Sequence, residues 1–264
     1  MRIVAAAKGL PIGLAVLLAA CGGQADSAPG TSTPERPVAD STSRVVARPV
    51  SPDPEVGAIF LGDGDLHTCT GAVVHSVGGD LMLTAAHCLP GGIRAGFVPG
   101  LSGAAALTDT WTVDTVYLDP RWVDNRDPHA DYAIARVSRA AGGSIEAQVG
   151  SALSLGTAPA PGTPVSVIAY PMGVAGGPIG CRVATGITDG YPTLPCAGLA
   201  DGTSGAPWID GPTVIGVIGG FEAGGCQQRV SYSAPFDEHT AALLARAEAG
   251  GPGDAAPPGF EDPC

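Results

Sequence analysis

Positions 81–90 read LMLTAAHCLP, an apolar run that ends in a histidine and a cysteine. A histidine beside apolar residues is most often a packed side chain whose ring nitrogens find hydrogen-bond partners. Two later patterns favour a different interpretation of His87. Asp131 opens the run DYAIA at positions 131–135, and Ser204 lies in GTSGAP at positions 202–207. A serine flanked by glycines directly before an apolar strand has the exposure that a nucleophile requires.

These three residue types can form one chemical unit. A serine hydroxyl is a weak nucleophile unless a neighbouring imidazole takes its proton, and a carboxylate on the second ring nitrogen fixes the tautomer. A reaction of this kind also needs backbone N–H donors for the oxyanion, which Gly202 and Ser204 are placed to supply. The carboxylate is the least specific of the three, because Asp119, Asp124 and Asp127 lie close to Asp131 in sequence.

The three motifs resemble those of the chymotrypsin/trypsin-like family of serine endopeptidases, over roughly residues 55–245. LTAAHC matches the histidine motif of the family, DPRWVDNRDPHADYAIARV is similar to its aspartate segment, and GTSGAP is similar to its serine motif G-D-S-G-G-P. The resemblance implies that His87 is the general base and acid, that Asp131 orients it, and that Ser204 attacks a polypeptide substrate. It implies no cofactor and no metal. The order His, Asp, Ser differs from that of α/β-hydrolases, in which serine comes first.

Two positions depart from the family pattern. Thr203 stands where animal members carry an aspartate that pairs with a newly cut N-terminus, and Ala206 stands where they carry glycine. These differences favour the bacterial branch of the family. The resemblance further assigns Gly198 to the floor of a specificity pocket, and Gly219, Gly220 and Phe221 to a strand that binds peptide. It leaves the preferred residue at the cleavage site open.

Short apolar runs separated by Gly, Pro and Asp predict an all-β fold. With the resemblance, the expectation is two six-stranded antiparallel β-barrels, with the site between them, and a C-terminal helix. Asp237 is a suitable N-cap for that helix, EHTAALLARAEA at positions 238–249. The expected protease domain covers residues 55–249, followed by a Pro/Gly-rich acidic tail over 250–264.

The N-terminus has the pattern of a signal peptide over residues 1–20. Arg2 and Lys8 precede a twelve-residue apolar stretch, which would rise only about 18 Å as a helix and is too short to cross a bilayer. The sequence LAAC at positions 18–21 resembles the bacterial lipoprotein signal, which implies a lipid on Cys21. We therefore expect a lipid-anchored protein on the outer face of the bacterial cell membrane, with residues 21–54 as a disordered linker. The alternative is ordinary secretion, which leaves Cys21 as a free thiol.

Setting Cys21 aside leaves six cysteines, enough for three disulfides in an oxidising compartment. We expect Cys69 to pair with Cys88 beside His87. Elimination then favours Cys181 with Cys196 and Cys226 with Cys264, while a pairing of Cys196 with Cys226 is the alternative. A zinc site is disfavoured, because no two cysteines have C-x-x-C spacing and H-E-x-x-H does not occur.

The 264-residue chain carries 13 basic and 25 acidic residues, a formal net charge of −12. Such a chain is repelled by phosphate backbones, so nucleic-acid binding is excluded from the expected functions. The expected protein is a monomer with a polypeptide substrate and a membrane contact through Cys21. Two other functions stay open, namely a catalytically inactive binding lipoprotein of the same fold and an esterase with the same triad.

Overall fold

A computed structural model of the chain describes residues 44–226 and 229–259. The predicted signal peptide, Cys21 and most of the predicted linker lie outside the described residues, as does Cys264. The described residues form three α-helices and fifteen strands. The helices are α1 (Pro120–Asn125), α2 (Ile145–Val149) and α3 (Glu238–Ala249). The strands are β1 (Arg48–Pro49), β2 (Val56–Leu61), β3 (His67–Val74), β4 (Leu81–Thr84), β5 (Ala95–Pro99), β6 (Trp111–Leu118), β7 (Ala133–Ser138), β8 (Ser154–Leu155), β9 (Pro164–Ala169), β10 (Ile179–Ala184), β11 (Gly186–Thr188), β12 (Tyr191–Leu194), β13 (Pro207–Asp210), β14 (Thr213–Val217) and β15 (Ser231–Tyr232).

The first half of the fold is a closed six-stranded barrel in the order β2-β3-β4-β7-β6-β5, with every pair antiparallel. The turn at 62–65, GDGD, joins β2 to β3, as its composition predicts. Strands β2 and β4 are buried almost throughout, because both of their faces are covered. The interior is filled by Ile59, Phe97 and Trp111. This barrel positions His87 and Asp131.

The second half is built from two sheets rather than one closed ring. A six-stranded sheet has the order β1-β10-β9-β13-β14-β8, and a three-stranded sheet has the order β11-β12-β15. The second barrel predicted from the sequence is therefore split among the described strands. The split falls at Thr185, whose N–H donates to Thr163 before Gly186 begins to pair with β12. The pair β14–β8 is parallel, whereas an all-antiparallel barrel was expected.

Part of the predicted linker is a structural element. Residues 45–50, VVARPV, lie along the edge of the second half, where Val46 pairs with Ala197 and β1 pairs with β10. The backbone groups of Val45 and Ala47 both bond to Ala197. Residues 45–50 are paired here, whereas a disordered linker was expected. The reason is that this short apolar run covers a sheet edge that would otherwise leave N–H and C=O groups unpaired.

The predicted C-terminal helix has the expected bounds, and the mostly β fold with this helix is confirmed. The Asp237 carboxylate accepts hydrogen bonds from the N–H groups of His239 and Thr240, and the Thr240 hydroxyl accepts one from the Asp237 N–H. This reciprocal cap satisfies donors that the first turn leaves free. Leu243 is buried against the core that contains Tyr117 and Ile134, so α3 packs on β6 and β7.

Two disulfides join Cys69 to Cys88 and Cys181 to Cys196, which are two of the expected pairings. The second pairing excludes the alternative bond between Cys196 and Cys226. Cys226 is itself in a disulfide, and its expected partner, Cys264, lies outside the described residues. Within residues 44–226 and 229–259, none of the helices combines the length and apolar character needed to cross a membrane.

Candidate active site

His87 and Asp131 lie at the same end of two paired strands. β4 pairs with β7 so that Thr84 is opposite Ala133. His87 follows Thr84 by three residues, in a single 3-10 turn over Ala86–Cys88, and Asp131 precedes Ala133 by two. Because the two strands are antiparallel, the end of one and the start of the other meet at one edge of the barrel. The register of the two strands thereby brings the two side chains close together.

The carboxylate of Asp131 is buried and accepts three hydrogen bonds. One oxygen accepts from the backbone N–H of His87 at 3.0 Å. The other accepts from His87 Nδ1 at 2.8 Å and from the backbone N–H of Gly220 at 2.8 Å. Since the carboxylate is the acceptor, Nδ1 carries the proton and Nε2 is the unprotonated ring nitrogen. His87 is thus in the tautomer that can take a proton from a hydroxyl group.

Opposing effects act on the ionisation of Asp131. Burial raises the pKa of its carboxyl group, whereas electrostatic attraction to His87 and the hydrogen bonds from His87 and Gly220 lower it. The net result is a pKa below the ordinary value, so Asp131 is ionised at neutral pH. A buried negative charge at this position stabilises a proton on His87.

Ser204 lies on a tight loop that precedes β13. The N–H and the hydroxyl of Thr203 both donate to the carbonyl of Ala200, at 3.0 and 2.7 Å, which closes the turn. Gly202 has φ of +88°, and a Cβ there would lie 2.1 Å from the backbone nitrogen of Met172. Glycine is therefore required for both the left-handed backbone and the close approach.

The backbone N–H groups of this loop fall into two sets, those bonded within the protein and those that are not. The N–H of Thr203 and that of Gly205 are used within the protein, by Ala200 and Ile218. In contrast, among the described residues neither the N–H of Gly202 nor that of Ser204 donates to a protein acceptor. Two free N–H groups flanking one residue, beside a candidate nucleophile, are suited to bind an oxyanion.

Thr70 of β3 connects this loop to the first barrel. Its N–H donates to the carbonyl of Ser204 at 2.8 Å, and its hydroxyl donates to the carbonyl of Gly202 at 3.0 Å. The same hydroxyl accepts from the N–H of Tyr170 at 2.9 Å. Thr70 is fully buried, so these bonds are shielded from water.

Gly205 brings the loop against the segment that carries His87. A Cβ at Gly205 would lie 2.1 Å from the hydroxyl oxygen of Thr84 and 3.0 Å from the backbone nitrogen of Ala85. Ala85 precedes His87 by two residues, and the hydroxyl of Thr84 donates to the carbonyl of Thr70 at 2.7 Å. Ser204 and His87 therefore come from different halves of the fold and line the same cavity.

That cavity has a volume of about 320 Å³. It is lined by the His87 side of the first barrel, by the Ser204 loop and by the segment after β14. Its charged lining residues besides His87 are Asp201 and Glu222, so its wall carries negative charge. Glu222 and Ala223 have φ near +50°, a backbone conformation that non-glycine residues adopt at a cost. The residues after β14 that line the cavity are Ile218, Glu222, Ala223, Gly224, Gly225, Cys226 and Ser231.

None of the residues expected to bind substrate lines this cavity, and their role stays a prediction. Gly198 approaches the side chain of Val46 and does not line the cavity. Gly219 and Gly220 are buried behind it, and the N–H of Gly220 is used by Asp131. Phe221 contacts the rings of Tyr191 and Tyr232. On this side the cavity wall comes from Ile218 and from the residues after Phe221, where the backbone turns at Glu222 and Ala223.

One group of metal-binding side chains occurs in the described part of the chain, namely Cys69, His87 and Cys88. Cys69 and Cys88 are joined in a disulfide, so neither sulfur is a thiolate. A metal ligand must be the deprotonated thiol, and this group therefore does not form a metal site.

Comparison with known proteins places this site in context. Residues 69–217 match a family model described as the trypsin-like peptidase domain. No curated protein sequence matches the chain.

Solved structures are similar in fold at low sequence identity. The protease Anisep from Arthrobacter nicotinovorans is 22% identical with a TM-score of 0.68, over 78% of this chain and 100% of that one. A thermostable serine protease, AL20, from an extremophilic microorganism is 19% identical with a TM-score of 0.62, over 75% of this chain and 99% of that one. Human heparin binding protein is 18% identical with a TM-score of 0.60, over 80% of this chain and 100% of that one.

Proposed function

Because the chain belongs to the family of trypsin-like peptidase domains, we propose that it is a serine endopeptidase with His87, Asp131 and Ser204 as its catalytic triad. The observation that carries this proposal is the bond of 2.8 Å between the buried Asp131 carboxylate and His87 Nδ1, in a cavity that His87 shares with Ser204. A pair of an aspartate and a histidine can also have a purely structural role. Here the pair lies beside a glycine-flanked serine with two free backbone donors, and this arrangement fits acyl transfer to a hydroxyl group.

Each residue has a defined part in the reaction. The Ser204 oxygen attacks the substrate carbonyl carbon while its proton passes to His87 Nε2. The N–H groups of Gly202 and Ser204 bind the oxyanion of the tetrahedral intermediate. Collapse of this intermediate breaks the C–N bond, and His87 returns the proton to the leaving amine. Water then attacks the acyl-enzyme by the same path, with His87 again as base, and the carboxylic acid is released.

The site of action is proposed to be outside the cytoplasm. Two disulfides within the described residues support an oxidising compartment. The pattern of residues 1–21 supports export with a lipid on Cys21 on the outer face of a bacterial membrane, and Thr203 supports the bacterial branch of the family. We further propose a monomer with a polypeptide substrate and a protease domain over residues 55–249.

A second candidate function is binding without catalysis. The similarity to human heparin binding protein supports it, since a protein of similar fold is named for binding rather than for hydrolysis. The net charge of −12 argues against a polyanion as the ligand of this chain. A binding role alone also leaves unexplained the buried Asp131 and the free N–H groups beside Ser204.

Hydrolysis of casein and covalent labelling by a fluorophosphonate test the proposal together. We expect the parent protein to cut casein and to be labelled, and Ser204→Ala to do neither. Labelling without cleavage of casein or of a peptide library would favour an esterase with the same triad. The proposal fails if the folded parent protein is neither labelled nor active, a result that would favour the binding role.

A further inference from the structure

The residues that follow α3 form an ordered segment along the first barrel. We call residues 250–259 the C-terminal strap. The hydroxyl of Tyr117 donates to the carbonyl of Gly251 at 3.2 Å. The Asp254 carboxylate accepts from the N–H of Leu118 at 2.7 Å and pairs with Arg246 at 2.6 Å, while its own N–H donates to Val116 at 2.8 Å. Partial burial raises the pKa of Asp254, but Arg246 and the backbone N–H of Leu118 hold it below its ordinary value.

Two glycines show how closely the strap fits the barrel. A Cβ on Gly253 would lie 2.6 Å from the carbonyl oxygen of Val116. A Cβ on Gly91 would lie 2.1 Å from the carbonyl oxygen of Ala256, and the N–H of Gly91 donates to Pro257 at 2.9 Å. A carbon atom cannot approach oxygen so closely without displacement of one of them. Both surfaces are therefore shaped for this contact.

The far end of the strap reaches His87. Arg126 donates to the carbonyl of Pro258, and Pro257 and Pro258 line a small cavity together with His87 and Trp122. This cavity has a volume of about 10 Å³, whereas the cavity beside Ser204 has about 320 Å³. The smaller space would hold about one water molecule. The strap thus closes the space on the Trp122 side of His87 and leaves the space beside Ser204 open.

An extended peptide substrate needs space both in the cavity beside Ser204 and on the Trp122 side of His87. Its successive side chains point to opposite sides, and its Cα atoms are about 3.8 Å apart. If the residue whose carbonyl Ser204 attacks places its side chain in the larger cavity, the side chain of the preceding residue points away from that cavity. His87 lines both cavities, so the small cavity beside Trp122 is the adjacent space.

We infer that the C-terminal strap determines specificity, because Pro257 and Pro258 restrict the residue before the cleaved residue to a small side chain such as glycine or alanine. This inference rests on the proposed peptidase function. The strap does not line the larger cavity, which contains the Ser204 loop. It therefore affects the fit of one substrate side chain and not the reaction itself.

The test compares the full-length parent protein with Gly91→Ala. The added methyl group would meet only backbone atoms of Ala256 and Pro257, and would therefore displace the strap. The matched control is Gly64→Ala, in an exposed turn where the nearest atom to an added Cβ is 3.9 Å away. Asp254→Ala, which removes the carboxylate contacts to Arg246 and Leu118, loosens the strap independently if Gly91→Ala does not fold. A peptide library varies the residue before the cleaved residue from glycine to phenylalanine, and kcat/KM is measured for each peptide.

For the parent and for Gly64→Ala we expect cleavage only after small preceding residues. Gly91→Ala or Asp254→Ala should raise kcat/KM for peptides with leucine or phenylalanine at this position by about tenfold or more, and change it little for glycine. An unchanged profile in both strap variants would overturn the inference, and so would an equal rise for every peptide, which would make the strap a general block. Failure of the proposed function is distinguishable, because the parent would then be neither labelled nor active.

Discussion

The two halves of the fold contribute to the candidate site in different ways. The first barrel supplies His87 and Asp131, whose separation is set by the register of β4 and β7 and by two direct bonds between them. The second half supplies Ser204 on a loop, with backbone conformations that only glycine adopts easily at positions 202 and 205. One pair is fixed by strand pairing, whereas the serine depends on a turn and on bonds to Thr70.

This difference indicates which changes should impair chemistry and which should impair assembly of the site. A change at Asp131 leaves the pairing of β4 with β7 intact and acts on the groups that its carboxylate binds, which are His87 and the N–H of Gly220. A change at Thr70 leaves His87 and Asp131 in place and alters the position of the loop relative to them. Substitutions in the two regions should therefore have separable effects on kcat, stability and pH dependence.

The largest expected effect follows Asp131→Asn. The amide cannot accept the Nδ1 proton in the same way, so His87 adopts the wrong tautomer, and kcat should fall by about 10⁴-fold, as in the Ser-His-Asp template. Steady-state hydrolysis and thermal unfolding of the variant are the measurements. A loss of less than about tenfold in a folded variant would remove Asp131 from the triad.

Asp119→Asn is the matched control for that substitution. Asp119 is also a buried carboxylate of the same segment, and it binds Arg121 and the hydroxyl of Tyr132. Burial raises its pKa, but the bonds from Arg121 and Tyr132 prevail and lower the pKa to about 2. We expect this variant to lose stability and to retain kcat.

Removal of the disulfide beside His87 should have the next largest effect. The bond between Cys69 and Cys88 spans 19 residues, and loss of such a crosslink is worth about 3 kcal/mol in the chain-entropy model. We expect Cys69→Ala with Cys88→Ala to lower the free energy of unfolding by about this amount, measured by urea denaturation. An unchanged free energy would show that strand pairing alone is sufficient to hold the His87 segment.

Thr70→Val tests the contact between the halves. Valine keeps the shape but leaves the carbonyl of Gly202 and the N–H of Tyr170 without a partner, at a cost of about 1–3 kcal/mol. We expect kcat to fall about tenfold or more with little change in KM, because the oxyanion donors move. The control is Thr185→Val, which removes a buried hydroxyl that donates to Ala160 at 2.9 Å. A similar loss of kcat in both variants would contradict a positioning role for Thr70.

The smallest expected effect concerns acid stability. His67 is buried between Phe60 and Tyr170, neither ring nitrogen has a hydrogen-bond partner among the described residues, and burial lowers its pKa. Below the unfolded pKa of about 6.5 the unfolded chain binds a proton that the folded chain does not, so stability falls as the pH decreases, by at most about 1.4 kcal/mol per pH unit. His67→Phe should weaken this dependence in urea denaturation between pH 5 and 7. An identical slope in both proteins would show that His67 is not its source.

Helix bounds could be predicted where a local capping signal marks them. The helix expected over 238–249 has the bounds of α3, and Asp237 caps it as expected. Strand β5 contains glycine and proline, and β12 contains Pro192, so neither has a strand-like composition. These strands form because their neighbours in the sheet pair with them, which is not a local property of the sequence.

The candidate site was predictable to the extent that local motifs carry it. His87, Asp131 and Ser204 each lie in a short recognisable run, and their joint role stays a prediction. Thr70 was missed, since its partners Gly202 and Tyr170 are at least 100 residues away in sequence. The strap was missed because a Pro/Gly-rich tail is typical of unpacked chain, and only its fit against Gly91 and Val116 distinguishes it.

The most direct test of the account is the rate at which a fluorophosphonate labels Ser204, followed by intact mass and by peptide mapping of the adduct. We predict one adduct, located on Ser204, in the parent protein. We also predict a labelling rate at least about 10³-fold lower in folded His87→Ala, because His87 is the base that takes the hydroxyl proton. Equal labelling rates in the two proteins, or an adduct on another residue, would contradict the claim that His87 activates Ser204.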